Sequence, residues 1–243
     1  MALSLISLNI ERDRHLPAVE ALLQETAPDV ACLQEVFEAD LPALAKAAEG
    51  EALFVPRIRY PSPRGLMPEG LAIISRRGLS DQASACYAGE KAAIPIAAID
   101  GSVEEKQRDQ RYSIASCLVE KDGASYRIVT THFPWTPDGE ADAFQRDALA
   151  GLFSVLEPLG EFVLTGDFNA PRGKEIFSAI AERYADAVPP AYGSSIDGRI
   201  HRAGPIPYMV DGLFSTQDYR ISDVVMRCGV SDHCALAGAI ERA

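Results

Sequence analysis

The chain has little that would tie it to a membrane, a zinc framework or an anionic polymer. No apolar run approaches the roughly 18 residues that a spanning helix needs. The opening MALSLISLNIERD has no basic leader, and its apolar stretch is broken by Ser4 and Ser7, so neither a signal peptide nor a membrane span is expected. Cysteine is sparse: Cys32, Cys86, Cys117, Cys228 and Cys234 are odd in number and scattered, with no CxxC and no paired zinc spacing. Free, buried thiols in a reducing compartment are therefore expected, and with them a cytoplasmic location. Basic residues are also few. Lys plus Arg number 23 against 35 for Asp plus Glu, a net charge of −12 with no long basic run, which argues against general attraction to phosphate backbones or anionic membranes. One local exception is the Pro-rich stretch PRIRYPSPRG, where Arg57, Arg59 and Arg64 either form a small positive patch facing a substrate or are ordinary solvated surface.

What is present is enough apolar sequence for one large core: 47% of 243 residues, read as a single domain over 1–243. Residues 3–9 alternate as a first strand that ends on Asn9, with Glu11 just beyond. A helix over 16–26, closed by Pro28, leads to a buried strand at 30–34 that delivers Glu35. A short helix follows at 41–48, then a loop over 56–68. Glu69 and Gly70 come at the entrance of a strand at 71–75. The stretch 78–109 is weakly patterned, with one strand at 83–87.

Strands at 111–119 and 126–131 flank the hairpin signal Lys121, Asp122, Gly123, and His132 closes the second of them. Phe144, Ala148, Leu152, Val155 and Leu156 recur at helical spacing before Pro158. The apolar run 162–165 then empties into Gly166, which turns the backbone, and into Asp167 and Asn169. A helix over 174–184, a Gly- and Pro-rich loop running to Pro207, and strands at 210–214, 224–227 and 235–240 complete the chain. Asp211 lies inward on the first of these strands, and Ser231, Asp232 and His233 lie between the last two. Strands outnumber helices and hairpins mix with crossovers. The fold class expected is α/β, two packed mixed sheets with helices outside.

Each polar strand end has a bland account. Gly-Asp-x-Asn is ordinary turn chemistry, a lone Glu after a strand is usually surface, a lone His is more often structural, and Ser-Asp-His can be only a turn. Their recurrence where buried strands end points instead to one site. An acid and an amide two residues apart, Asp167 and Asn169, suit water activation beside a metal and stabilisation of a charged oxygen.

These residues carry a resemblance. SLNIE at 7–11, LQEV at 33–36, EGLAIIS at 69–75, TTHF at 130–133, TGDFNAP at 165–171, VDGLF at 210–214 and SDH at 231–233 resemble, in order and over nearly the whole chain, the endonuclease/exonuclease/phosphatase superfamily. The resemblance implies a DNase I-like, four-layered sandwich of two mixed β-sheets flanked by helices, and metal-dependent phosphoester hydrolysis. It implies Glu35 as principal metal ligand, with Asn9 and Glu11 close by and Asp232 sharing the metal or its water shell. Magnesium is the ion expected, with manganese as a substitute. Asp167 would orient or deprotonate the attacking water and Asn169 would donate to a phosphoryl oxygen. His233, held by Asp211, would face the phosphate. His132, held by Glu69, would bind another phosphate oxygen or help protonate the leaving group, and Arg111 would contact phosphate.

Two departures stand out. Asp211 is followed by Gly212 where an aromatic residue is common, which suggests a looser backbone. His132 stands where DNA-repair members often carry Asn, which leans towards the branch that uses two histidines. The function expected is hydrolysis of a phosphodiester by in-line water attack, of nuclease type, by a monomer. The alternatives are a phosphohydrolase of a small-molecule or lipid phosphoester and a catalytically inactive binding module of the same fold. Choice of substrate would rest with the loops at 56–68 and 186–207.

Overall fold

Two parallel strand pairs set the plan of the molecule. In the computed structural model, which describes residues 2–243, β1 (Leu3–Asn9) leads through α1 (Leu16–Thr26) to β2 (Val30–Phe37), and β1 and β2 pair in parallel from Leu5↔Val30 to Asn9↔Gln34. The second unit repeats this design: β7 (Ala124–His132), α4 (Ala143–Leu156) and β8 (Val163–Asp167), with β7 and β8 parallel up to His132↔Asp167. A strand, a helix and a parallel strand bring both strand ends to the same edge of a sheet.

The remaining elements are α2 (Leu41–Ala47), β3 (Glu51–Ser62), β4 (Gly65–Ser75), β5 (Ser80–Gly89), α3 (Val103–Arg108) and β6 (Arg111–Lys121). After β8 come α5 (Glu175–Ala181), β9 (Ala185–Asp186), β10 (Asp211–Ser215), β11 (Tyr219–Arg227) and β12 (Ala235–Arg242). They complete two six-stranded sheets, ordered β11-β12-β1-β2-β4-β3 and β5-β6-β7-β8-β10-β9.

Strand periodicity decides which side chain enters which layer. Leu3 and Leu5 of β1 join Cys117, Ile128 and Leu213 in the core between the sheets, whereas Ile6 and Leu8 point the other way and pack with Val19, Leu22 and Leu23 of α1. On the far side, Ala148, Leu152 and Leu156 of α4 and Phe177 of α5 cover Val129 and Leu164. The result is helix, sheet, sheet, helix: the four layers expected.

Several local expectations change. Residues 56–68 belong to a β3–β4 hairpin that stays paired out to Ser62↔Gly65. The prolines of β3 misled because β3 is an outermost strand, where a missing N–H removes no ladder bond. Glu69 accordingly lies inside β4 and is buried. Helix α3, starting at a capping box of Ser102 and Glu105, lies in the weakly patterned stretch 78–109, where the S-x-x-E spacing is its sequence signal. Gly166 does not end its strand. Its φ is +144°, and a Cβ there would stand 2.0 Å from the Thr131 carbonyl oxygen, so glycine lets β8 approach β7 closely. Gly212 is not a loose point either: a Cβ would meet the Phe214 and Phe168 rings at 2.5 and 2.9 Å.

The cysteines divide. Cys32 and Cys117 are free and buried, their thiols pushed up to about 12 by desolvation. Cys86 is free and half-buried. Cys228 and Cys234, however, form a disulfide, because the turn before β12 brings their Cα atoms to 4.2 Å. That corrects the expectation of free thiols throughout and removes the cysteine argument for a reducing compartment. Among the described residues, no helix is long and apolar enough to cross a membrane.

Candidate active site

The C-terminal ends of β1, β2, β7 and β8 meet at one edge of the sandwich, over a cleft of about 680 Å³. Asn9 ends β1, His132 ends β7 and Asp167 ends β8. Asp211 opens β10 directly opposite Asp167 in register, and Asp232 and His233 come just before β12, which runs antiparallel to β1. Glu35 reaches the cleft by a different device. The β2–β4 register shifts between Leu33 and Val36, and Glu35 sits in this bulge with φ +57°, a left-handed conformation that re-aims its side chain.

Asp167 is the centre of the arrangement. It is 1% exposed, and its Oδ1 accepts from the Asn169 backbone N–H at 2.8 Å. Its Oδ2 accepts from Asn9 Nδ2 at 3.1 Å and faces Nε2 of His132 at 3.4 Å and Nε2 of His233 at 3.7 Å. Burial pushes this carboxyl up to about 7; His233 pulls against that and the neighbouring Asp211 adds to it.

The two histidines are set differently. His233 Nδ1 lies 2.8 Å from Asp211 Oδ2, the partner expected from the sequence. Burial alone would hold that imidazole down, but Asp211, Asp167 and Asp232 outweigh it and its pKa lies well above the ordinary value. His132 is held well below it, by burial first and then by Arg57, His233 and Arg12. Its Nδ1 meets Arg57 Nη1 at 2.6 Å, so Arg57 stands where Glu69 was expected. Glu69 touches Arg57 Nη1 at 3.4 Å and Arg12 Nη1 at 3.7 Å instead. Burial, with repulsion from Glu35, pushes Glu69 up to about 7 despite these cations.

On the other side of Asp167, Asn9 Nδ2 also reaches Glu35 Oε1 at 3.3 Å, and Arg12 lays its guanidinium on Glu35 Oε2 while stacking 4.5 Å over the Tyr60 ring. The four residues expected at the metal, Asn9, Glu11, Glu35 and Asp232, all line the cleft. The carboxylate of Glu11 is taken by Arg14 at 2.9 Å and His15 at 3.0 Å, and its backbone N–H donates to Asn9 Oδ1 at 3.1 Å. Glu35 and Asp232 offer carboxylate oxygens of the kind a hard divalent ion takes, whereas Asn9 turns its amide nitrogen towards Glu35; the guanidinium resting on Glu35 shows that this carboxylate accepts a cation. Among the described residues, the cluster in this cleft whose ligand atoms lie close enough to hold a metal ion, within 4.8 Å of one another, is Asp167, Asp211 and His233.

Asn169 also lines the cleft. It has φ +48°, and its side-chain amide donates to the Phe133 carbonyl at 3.0 Å, which uses one of its two hydrogens. Arg111 does not line the cleft. The arginine patch does not form either: Arg57 is 2% exposed, Arg59 donates to the Ile94 carbonyl, and Arg64 pairs with Asp40 and Asp13. The sequence reading missed Arg12, Tyr60, Gln110 and Trp135, all of which line the cleft, as does Arg57, which was expected only as one of a patch of three arginines. Arg12 had a visible signal, three residues past Asn9 on the loop that carries Glu11.

This sandwich, with acids and histidines gathered where its central parallel strands end, defines the phosphoesterase fold of the DNase I type. The chain belongs to the endonuclease/exonuclease/phosphatase family, whose model matches residues 6–233. Members of that family are generally metal-dependent hydrolases of phosphoesters. No curated protein matches it significantly. Among solved structures it is similar to an endonuclease/exonuclease/phosphatase from Beutenbergia cavernae, at 19% identity and a TM-score of 0.73, covering 100% of this chain and 72% of that one. It is also similar to the human Nocturnin catalytic domain with bound sulfate, at 16% identity, TM-score 0.70, covering 100% and 94%. A mannosyl-6-phosphatase from Bacteroides thetaiotaomicron has 13% identity, TM-score 0.68, and coverage of 98% and 99%.

Proposed function

We propose that the protein is a metal-dependent phosphoester hydrolase in which Asp167 activates water for in-line attack on phosphorus, acting on a substrate small enough to enter the cleft. The observation that carries this reading is the convergence on Asp167 of Asn9 and both histidine Nε2 atoms. A carboxylate pushed towards 7 by burial is a base matched to neutral pH. The two rings give the phosphoryl group a polar partner on either side, as the two-histidine branch of the family would require. Asn169 anchors Asp167 through its backbone N–H and keeps one amide hydrogen for a phosphoryl oxygen. Magnesium, or manganese in its place, held by Glu35 with Asn9 and Asp232, would offset charge building on the phosphoryl oxygens. Glu11 supports that set through Asn9.

The state of the cations favours a small substrate over a nucleic acid. Backbone binding draws on Lys and Arg side chains free to meet successive phosphates. Of the cations that line the cleft, Arg12, Arg14 and Arg57 are engaged by carboxylates, which leaves Lys106 and Arg202 to meet phosphate, and the half-exposed Ile99 and Trp135 give the cleft an apolar rim. A nuclease acting on short single strands is the second reading, supported by Trp135, 45% exposed at the cleft, as a stacking surface for a base. An inactive binding module would have no use for a carboxylate buried beside Asp211 at a cost in charge repulsion. The cleft is lined by residues of one chain, so a monomer would suffice for the reaction. The disulfide is the cysteine state of an oxidising compartment, so the cytoplasmic expectation loses its support.

The test is a panel of p-nitrophenyl phosphate, bis-p-nitrophenyl phosphate, sugar phosphates, phosphocholine esters, a short single strand and supercoiled plasmid, each with magnesium, manganese or EDTA. Metal-dependent turnover of the small esters, lost in Glu35→Gln, is expected. Cleavage confined to the nucleic acids would move the assignment to the nuclease.

A further inference from the structure

Arg57 is a cation in an unusual place. It is the extra residue of a bulge, where the β3–β4 register shifts between Pro56 and Ile58, and bulges beside active sites re-aim a side chain. Its guanidinium is buried, lies 5.7 Å from the Tyr112 ring centre, and donates through Nη2 to Gln110 Oε1 at 2.7 Å. Nη1 points at His132 Nδ1 from 2.6 Å and at Glu69 Oε1 from 3.4 Å. Nε is buried with no partner, a cost that asks for a return elsewhere.

A guanidinium only donates and stays protonated in proteins. The ring nitrogen that faces Nη1 must therefore present a lone pair. A neutral imidazole then carries its single hydrogen on Nε2, the atom 3.4 Å from Asp167 Oδ2. A second proton has no place to go, because an N–H at Nδ1 would point at an N–H of Arg57. The charged groups around the ring are Arg57 from β3, Asp167 from β8, Arg12 beyond β1 and His233 before β12, with Glu69 of β4 reaching it only through Arg57. His233 has the opposite setting: its Nδ1 faces a carboxylate, which leaves Nε2 free to gain and lose a proton.

We propose that Arg57 is a positioning residue that fixes His132 as the neutral Nε2–H tautomer, so that His132 serves the reaction as a hydrogen-bond donor and not as an imidazolium that releases a proton. Of the two tasks open to this histidine, donation to a phosphoryl oxygen and protonation of the leaving group, only the first remains. The proposal rests on the phosphoester reading for what Nε2–H donates to. For the tautomer it rests on hydrogen-bond geometry alone.

The experiment is a long-range proton–nitrogen NMR spectrum of the histidine rings in the full-length, nitrogen-labelled protein, recorded across the neutral pH range with magnesium and again with EDTA. The chain has four histidines, so loss of one ring's signals in His132→Gln assigns the spectrum. Expected is a His132 ring with Nε2 protonated and Nδ1 bare at every pH at which the protein is folded. Arg57→Lys, which keeps a cationic donor, should retain that pattern. Arg57→Met should lose it, with the ring titrating and the acid limb of the pH–kcat profile shifting. If Arg57→Met does not fold, the unsubstituted spectrum still decides. A doubly protonated ring, or a proton on Nδ1, overturns the proposal. Because the spectrum needs no substrate, inactivity towards every phosphoester would sink the proposed function while leaving the tautomer result standing.

Discussion

Arg12 rests its guanidinium on the carboxylate of Glu35, the residue proposed as principal metal ligand. Both residues have left-handed backbone conformations, φ +63° for Arg12 and +57° for Glu35, so the contact is built by two unusual backbone positions at once. Arg12 is also steadied by the Tyr60 ring and by Glu69. A cation already seated on Glu35 competes with one arriving from solution. Arg12→Gln is therefore expected to bind magnesium about tenfold more tightly, about 1.4 kcal/mol, by calorimetric titration without substrate. Weaker binding in the variant would mean that Arg12 orients Glu35 for the metal.

Asp167→Asn should abolish turnover and stabilise the metal-free protein. Asp167 and Glu69 both keep their protons to higher pH in the folded state than when unfolded. Between about pH 4 and 7 the folded chain thus holds more protons, and its stability falls as pH rises. His132, held down in the folded state, opposes this trend below about pH 6.5, while His233, held up, reinforces it above that pH. Removing the Asp167 ionisation should raise the melting temperature in EDTA at pH ~7.5 relative to the unsubstituted protein, with the gain fading towards pH ~4. A lower melting temperature at both pH values would contradict this.

His132→Gln is expected to outperform His132→Ala in kcat by roughly tenfold, the worth of about one hydrogen bond to a charged group. A glutamine amide reaches the position of Nε2 and donates there without carrying a charge. Equal losses in the two variants, measured by steady-state kinetics, would argue that the ring supplies something a neutral donor does not.

The disulfide should act on the site as well as on the fold. Cys228 and Cys234 are six residues apart and close a turn that carries Asp232 and His233. Replacing both by serine should cost roughly 2 kcal/mol in denaturant unfolding, as expected for so short a loop. It should also lower kcat/KM, since the turn aims both side chains. Unchanged activity with lowered stability would confine the bond to a structural role.

How much of this was legible in the sequence follows from what each residue depends on. Asn9, His132 and Asp167 end strands whose apolar patterns were plain, and β1 and α1 have the bounds that periodicity gave them. Asp211 and His233 met because their flanking strands pair in the two sheets. Arg57 was not legible, because its burial comes from a bulge in an outer strand whose prolines imitate a loop. Glu69 was placed at a strand entrance for the same reason. The Cys228–Cys234 bond was hidden because pairing depends on the path of one turn rather than on cysteine spacing. The exposed arginine patch failed because each of its members found a local partner: His132 and Gln110 for Arg57, the Ile94 carbonyl for Arg59, Asp40 for Arg64.

The most direct test of the central claim is a single-turnover reaction of bis-p-nitrophenyl phosphate in water labelled with heavy oxygen, with magnesium present, analysed by mass spectrometry. Water activated by Asp167 for attack on phosphorus predicts one labelled oxygen in the phosphate-bearing product, none in the released nitrophenol, and no product in EDTA or in Asp167→Asn. Label in the nitrophenol, or undiminished turnover in Asp167→Asn, would contradict it.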